Sequence, residues 1–229
     1  SFLALIATAV VLEEPERART RAQRTTFITQ FRTALADQTL RPLVIAFFLT
    51  SLAFAGMTVM FVPLLADFFL YDATTAALFL AYIGALGIVN QGVLIGWLSR
   101  RVGVRRVVRA GVVALFCALV LLSASPLAGT APLLASGPGW LTGGLAVLLA
   151  FGALASFGNG AITVGLAALV SEGASEETQG AAFGVTQGAG SLGRTVGPPL
   201  AAAAYVFIYW SPFIAGALLL VPVAVLLRR

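Results

Sequence analysis

The chain has 229 residues, of which 59% are hydrophobic and only 10% are charged. A soluble domain carries roughly a quarter charged residues, so this composition excludes an ordinary water-exposed surface and indicates a membrane protein. The net charge of +5 rests on fourteen arginines and no lysine, which lie in short segments between apolar runs. No exposed polar domain is predicted, so we expect no nucleic-acid partner.

The chain has one cysteine, Cys117, and no histidine. An intrachain disulfide is therefore excluded, and a zinc site is not expected. The apolar runs also contain no paired carboxylates and no nucleophile beside a base, so we predict neither a cofactor nor an enzyme.

The first two segments in chain order are a short apolar run and a polar one. Residues 1–12 are shorter than the about 20 residues that a spanning helix needs, and we interpret them as the end of a truncated transmembrane helix. Residues 13–43 form an arginine-rich loop in which Phe27, Phe31 and Leu35 recur every four residues. That spacing predicts a short amphipathic helix on the membrane surface, with a solvated linker as the alternative.

Residues 44–229 are predicted to form a transmembrane bundle. Its apolar runs lie at about 44–66, 76–98, 110–127, 141–170, 181–208 and 211–227. The connections are short, so neighbouring spans are expected to be antiparallel.

The alternation of six spans places thirteen of the fourteen arginines on one side of the membrane, five of them between Arg100 and Arg109. The other side holds Asp67 and Asp72 and no arginine. Positively charged loops are typical of the cytoplasmic face, so the arginine-rich loops are predicted to be cytoplasmic and to contact anionic lipid headgroups.

Polar side chains inside the spans are the candidates for a substrate cavity, because polar groups at membrane depth need partners or water. They are Thr50, Thr58, Asn90, Gln91, Asn159, Thr163, Gln187 and Arg194. Four spans are therefore predicted to be interior, while the spans at 110–127 and 211–227 are predicted to face lipid.

Arg194 lies roughly 20 Å into its span at 1.5 Å per residue. It binds a polar or anionic substrate, pairs with an acid of a helix outside this sequence, or bonds the carbonyl groups that Pro198 and Pro199 leave free where they interrupt the helical ladder. Small residues spaced by four predict close helix packing. The predicted packing residues are Gly92, Gly96, Gly184, Gly188, Gly193, Gly197 and Pro198.

The stretch "GWLSRRVGVRR" resembles the cytoplasmic loop signature of the major facilitator superfamily, G-x-x-x-D-R-x-G-R-R. Gly96, Arg101, Gly103 and Arg105 fall on its positions. Arg100 stands where the family pattern has aspartate, and Val104 stands where it has a basic residue. In proteins of this family such a departure is typical of the second copy of the signature, which lies in their C-terminal half.

A second stretch, "GAAFGVTQGAGSLGRTVGPPLAAAAY", resembles the eleventh helix of tetracycline-type drug–proton antiporters. The start, "VVLEEPER", is similar to the end of the sixth helix and the central loop. The resemblance implies an all-α membrane protein. In it, a six-helix C-terminal bundle of a twelve-helix major-facilitator fold follows the end of the sixth helix.

The resemblance further implies alternating-access transport of a small molecule, with drug or metabolite efflux coupled to protons as the leading expectation. Importers of sugars or organic anions from the same superfamily are the alternative. A non-transporting structural or sensory membrane protein is an alternative from another class. The implied partners are the lipid bilayer, the substrate, protons and a missing N-terminal half, and the implied location is the bacterial inner membrane.

Overall fold

The computed structural model describes residues 27–129, 142–175 and 178–227, and the elements that these residues form are all helices. The truncated helix predicted at residues 1–12 lies outside the described residues, as do positions 130–141, 176–177 and 228–229.

The helices follow one another with short connections. They are α1 (Phe27–Ala36), α2 (Leu40–Phe69), α3 (Ala73–Val89), α4 (Ile95–Val102), α5 (Val104–Ala124), α6 (Gly143–Gly173), α7 (Gln179–Phe207) and α8 (Ser211–Leu226). A π-helical turn, Asn90–Leu94, joins α3 to α4 without a break, and a 3-10 turn, Ser125–Ala128, extends α5.

Four helical segments among the described residues are long and apolar enough to cross a membrane: Leu40–Phe69, Ala73–Val102, Val104–Ala128 and Gly143–Gly173. Helix α8 is apolar but has only 16 residues. Helix α7 has 29 residues and is not among the four. It is less apolar because glycines, Gln187 and Arg194 occupy its middle, so two of the six predicted spans are not supported by length and apolarity alone.

The bundle is held together by two closely packed helix pairs, α2 with α7 and α5 with α6, and by α8, which packs on both α2 and α5. Its core contains the fully buried rings of Phe61, Phe151 and Phe213. The ring centroids of Phe61 and Phe151 lie 5.3 Å apart. Aromatic pairs at such distances stabilise a core beyond the area they bury.

The segment from α3 through α4 is the least buried of the long helices, with 17% of its most apolar stretch buried, against 56% for α5 and its extension. The span at 76–98, which the sequence predicts to be interior, is thus less covered by the described helices than the span at 110–127. Polar content does not decide burial. Helix α5 is enclosed because α6 and α8 both pack on it, whereas α3 packs mainly on α6.

The prolines do not break the helices. Helix α7 runs through Pro198 and Pro199, α2 through Pro63 and α8 through Pro222. The prolines therefore interrupt the hydrogen-bond ladder of α7 without ending the helix. Each proline removes one backbone hydrogen bond, but α7 is packed along α2 on both sides of Pro198 and stays continuous.

The two ends of the bundle differ in charge. At one end, which we call the arginine end, Thr39, Arg105, Glu172 and Leu227 line a common cavity of about 400 Å³. At the opposite end, the Tyr205 hydroxyl donates to the Asp67 carboxylate at 2.8 Å. The structure therefore groups the arginines of α4 and α5 away from Asp67.

The N-terminus of α3 is capped by Asp72, whose carboxylate accepts hydrogen bonds from the backbone N–H and the hydroxyl of Thr75. These bonds hold the pKa of Asp72 below its usual range. Because the pKa is lowered in the folded protein, the stabilisation from this cap is fully present above the ordinary carboxyl pKa. It is lost as the pH falls through the lowered pKa.

Candidate functional site

A cavity of about 250 Å³ opens between α2, α6 and α7, and three of its lining residues, Thr163, Gln187 and Arg194, are exposed in the described part of the chain. It is lined by Phe47, Thr50, Ser51, Phe54, Asn159, Ile162, Thr163, Gln187 and Arg194. An apolar wall with a few convergent polar groups is the usual composition of a small-molecule site.

Five of the eight predicted cavity residues meet at this cavity: Thr50, Asn159, Thr163, Gln187 and Arg194. They come from three helices that are distant in sequence. Asn159 and Thr163 are four residues apart on α6, so they share one face of that helix. We call the cavity that these residues line the central cavity.

A second cavity of about 350 Å³ adjoins the first and contains Gln91. It lies between α2, α3 and α6, and its lining also includes Ser156. Phe54 and Asn159 line both cavities, so the two spaces are neighbours across these side chains.

Thr58 and Asn90 do not line either cavity. Thr58 is exposed, and its hydroxyl donates to the backbone carbonyl of Phe54 in its own helix. The Asn90 amide is buried and donates to the Ser156 hydroxyl at 3.2 Å. The hydrogen bonds of these two side chains are therefore made to other protein groups, and spacing along a span does not predict this.

Arg194 is the only arginine, lysine or histidine among the residues that line the central cavity. Its Nη2 donates to the Ser191 hydroxyl at 3.1 Å, one turn back on α7. The hydrogen bond to Ser191 is not the predicted bond to carbonyl groups freed by the prolines. In the part of the chain that the structure describes, no carboxylate forms an ion pair with Arg194. A guanidinium has five donors, so donors remain available for a ligand at the cavity.

Small residues make room for this arrangement. A Cβ atom added at Gly190 would lie 3.1 Å from the Ser51 hydroxyl and 3.4 Å from Nη1 of Arg194. Thr50 also lines the cavity, while its hydroxyl donates to the Ala46 carbonyl at 2.6 Å. Its oxygen keeps lone pairs that can accept from a ligand.

Gly193 and Gly197 lie where α7 crosses α2. A Cβ atom at Gly193 would lie 2.6 Å from the carbonyl oxygen of Phe48, and one at Gly197 would lie 2.5 Å from that of Leu52. Here two helix backbones touch, which only glycine permits.

The other glycines predicted to pack helices differ. A Cβ atom at Gly92 or Gly184 would meet nothing within 4 Å, and one at Gly96 would meet only the flexible side chain of Arg100. Gly188 is half-buried. Among the described residues, Gly92 and Gly184 therefore make no helix contact, because no helix of this part of the chain covers them.

The contact between α5 and α6 was missed by the sequence analysis. A Cβ atom at Gly158 would lie 2.7 Å from the backbone nitrogen of Leu115, and one at Gly111 would lie 3.1 Å from the carbonyl oxygen of Gly158. The signal that could have predicted this contact is the high density of glycines in α6. The side chains of Phe47, Phe54 and Ile162 in the central cavity were also missed, because apolar residues do not stand out within an apolar span.

The buried pair of Asn90 and Ser156 yields a stability prediction. Ser156→Ala leaves the Asn90 amide without its partner, so we expect the free energy of unfolding to fall by about 1–3 kcal/mol. The double variant Asn90→Leu/Ser156→Ala should recover most of that loss, because neither polar group then remains buried. Thermal unfolding in detergent measures both. Equal losses in the single and double variants would contradict the hydrogen-bond explanation.

The residues of the loop signature lie at the arginine end. Gly103 connects α4 to α5 with a φ of +88°, a conformation that other residues rarely adopt. The Arg101 guanidinium lies over the Trp97 ring, 4.3 Å from its centroid. Arg105 lines the cavity of the arginine end with Glu172. The signature thus shapes a tight turn and places Arg101 on an aromatic ring.

A protein-family model described as Major Facilitator Superfamily matches residues 1–146, well over half of the chain. The chain belongs to the Major Facilitator Superfamily. It is therefore an integral, multi-pass membrane protein of a superfamily that transports solutes across membranes. Comparison with curated proteins gives no match.

Membership in the superfamily does not by itself assign the site, because Asn159, Thr163, Gln187 and Arg194 lie beyond the matched residues. Their placement around one cavity comes from the fold. Within the described ranges, no group of three or more His, Cys, Asp or Glu side chains could hold a metal ion.

Proposed function

We propose that this chain forms the C-terminal six-helix half of a twelve-helix transporter, which moves a small solute by alternating access. The observation that carries the proposal is the central cavity, where polar groups of the long helices α2, α6 and α7 meet. Polar groups in such a place are expected to line a substrate path. A packed bundle without a cavity would instead have favoured a structural or sensory protein.

A second half is supported by surfaces that the described helices leave uncovered. On α3 and α4, Ile88 is 77% exposed and Val93 is 70% exposed, close to Gly92. On α7, the exposed residues Gly184, Gln187, Ser191 and Thr195 follow one another at helical spacing. A face that combines small and polar residues suits another helix better than lipid. The N-terminal half of the same transporter is the proposed partner.

The proposed direction of transport is efflux of a small amphipathic compound in exchange for protons. The resemblance of Ser191–Pro198 to the eleventh helix of drug–proton antiporters supports this. Asp67 lies within α2, and it is exposed and bonded to Tyr205 near the end of that helix. It does not line the central cavity, so we assign the coupling carboxylates to the N-terminal half.

Import of an organic anion is the second candidate, and Arg194 favours it. A guanidinium without an ion-pair partner among the described residues, at the wall of a cavity, is suited to a carboxylate or phosphate group. In both versions we propose that the arginine end faces the cytoplasm of the bacterial inner membrane, following the positive-inside rule.

The test uses the full-length protein in vesicles with an imposed proton gradient and a panel of fluorescent anionic, neutral and cationic compounds. We expect gradient-dependent movement of at least one class. Thr163→Trp should reduce the rate at least about tenfold, because the indole fills a cavity that binds the substrate.

Val164→Trp is the matched control, because Val164 is the next residue of α6 and does not line the central cavity. Its rate should stay within about twofold of the parent. If no compound moves under any gradient, the transporter proposal fails. If both tryptophan variants lose the same activity, the central cavity is not the substrate path.

A further inference from the structure

A groove of about 640 Å³ lies on the outer surface of α5, away from the central cavity. It is lined by Arg106, Arg109, Ala110, Val113, Ala114, Cys117 and Leu154. Six of these residues belong to α5, and Leu154 belongs to α6. None of them lines the central cavity.

The groove has a charged end and an apolar end. Positions 106, 109, 113 and 117 recur every three or four residues, so they form one face of α5. Arg106 and Arg109 are exposed at the arginine end, and Val113 is 59% exposed below them. From Arg106 to Cys117 the face is roughly 16 Å long at 1.5 Å per residue. Two small side chains, the exposed Ala110 and the buried Ala114, also line it.

The two arginines are not neutralised by the described part of the protein. Neither forms an ion pair there, and no acidic side chain lines the groove. Glu172, a described acid of the same end, lines the separate cavity with Arg105. Arg106 also lies in the first turn of α5, where the helix dipole is positive and a cation is unfavourable. An anion at this position is therefore attracted by the side chains and by the helix.

We propose that this groove binds one anionic phospholipid, with the phosphate on Arg106 and Arg109 and an acyl chain along Val113 and Cys117. The occupant is chosen by charge and shape together. A soluble anion would not use the apolar length of the groove, and a neutral lipid would not use the arginines. The arginines are thus a lipid site of defined geometry as well as a determinant of topology.

The test uses the full-length protein in phosphatidylcholine vesicles that contain a small fraction of phosphatidylglycerol with a photoreactive diazirine in its acyl chain. After illumination, mass spectrometry of peptides locates the crosslinks. We expect them to concentrate in residues 110–120. Unlabelled phosphatidylglycerol should compete, and additional phosphatidylcholine should not.

Arg106→Gln/Arg109→Gln should reduce this crosslinking by roughly 10- to 30-fold, since each basic residue near an anionic surface contributes about a fivefold gain in affinity. Arg32→Gln/Arg41→Gln removes the same charge from exposed positions on α1 and α2 that do not line the groove. Crosslinking of this matched variant should stay within about twofold of that of the parent protein.

Val113→Trp separates the groove from the charge. It leaves both arginines in place but fills the apolar end, so crosslinks at residue 117 and beyond should fall. Three results would each overturn the proposal. They are equal labelling by a photoreactive phosphatidylcholine, unchanged labelling in the double arginine variant, and labelling that disappears as the protein-to-lipid ratio rises, which would show that a second copy covers the groove.

Discussion

Gly197→Ala is expected to lower the free energy of unfolding by about 2 kcal/mol, within the range for overpacked cores. The added Cβ atom would lie 2.5 Å from the carbonyl oxygen of Leu52 and 3.3 Å from the backbone nitrogen of Gly56. Both are backbone atoms, so neither can rotate away. Relief requires α2 and α7 to separate, and these two helices form two walls of the central cavity. Thermal or denaturant unfolding in detergent measures the loss, and transport should fall with it.

Gly216→Ala is the matched control for this substitution. Gly216 is also a buried glycine within a helix, but an added Cβ atom would meet Leu119 at 3.4 Å and Ala53 at 3.6 Å, which are ordinary contacts. Replacing a helical glycine with alanine gains about 0.5–1 kcal/mol where space allows. We therefore expect unchanged or slightly higher stability. If both alanine variants unfold at the same point, the backbone contact between α2 and α7 is not a constraint on stability.

Arg194→Gln is expected to lower kcat/KM for anionic compounds by about 10- to 100-fold, since a hydrogen bond to a charged group contributes roughly 1.5–3 kcal/mol. Neutral compounds should lose much less. Arg194→Lys keeps the charge but not the planar guanidinium, so its kcat/KM for anionic compounds should lie between those of the parent and Arg194→Gln. The measurement is the initial rate of uptake into vesicles, compared across the same panel of compounds.

Ser191→Ala is the control for the position of Arg194. It removes the hydrogen bond at Nη2 and leaves the charge in the cavity, so selectivity for anions should remain even if rates change. A uniform loss for anionic, neutral and cationic compounds in Arg194→Gln, together with reduced stability, would assign Arg194 a structural role instead.

The candidate site could be predicted in part because polar side chains are conspicuous in an apolar chain. Thr50, Asn159, Thr163, Gln187 and Arg194 stood out for this reason, and the structure brings them to one cavity. Asn90 stood out equally, yet it bonds Ser156, which is 66 positions away in sequence. Sequence spacing places a residue on a helix, but only the contact between α3 and α6 decides whether its amide is free.

The glycines also show that spacing in the sequence does not decide which residues contact another helix. Gly184 and Gly197 have the same spacing pattern in the sequence, but one faces open space and the other touches a backbone. The prolines of α7 are another case: their local effect favours a break, and packing against α2 keeps the helix continuous.

The sequence alone predicts an all-helical membrane protein whose loop arginines share one side, because apolar length and charge are properties of local composition. It also supplied the polar residues from which a site could be built. The tertiary structure decided which of them share a cavity, which helices are enclosed and where an arginine-headed groove remains open. Those outcomes depend on pairs of helices that approach to within a few ångströms, and the chain alone does not encode such distances in any short stretch.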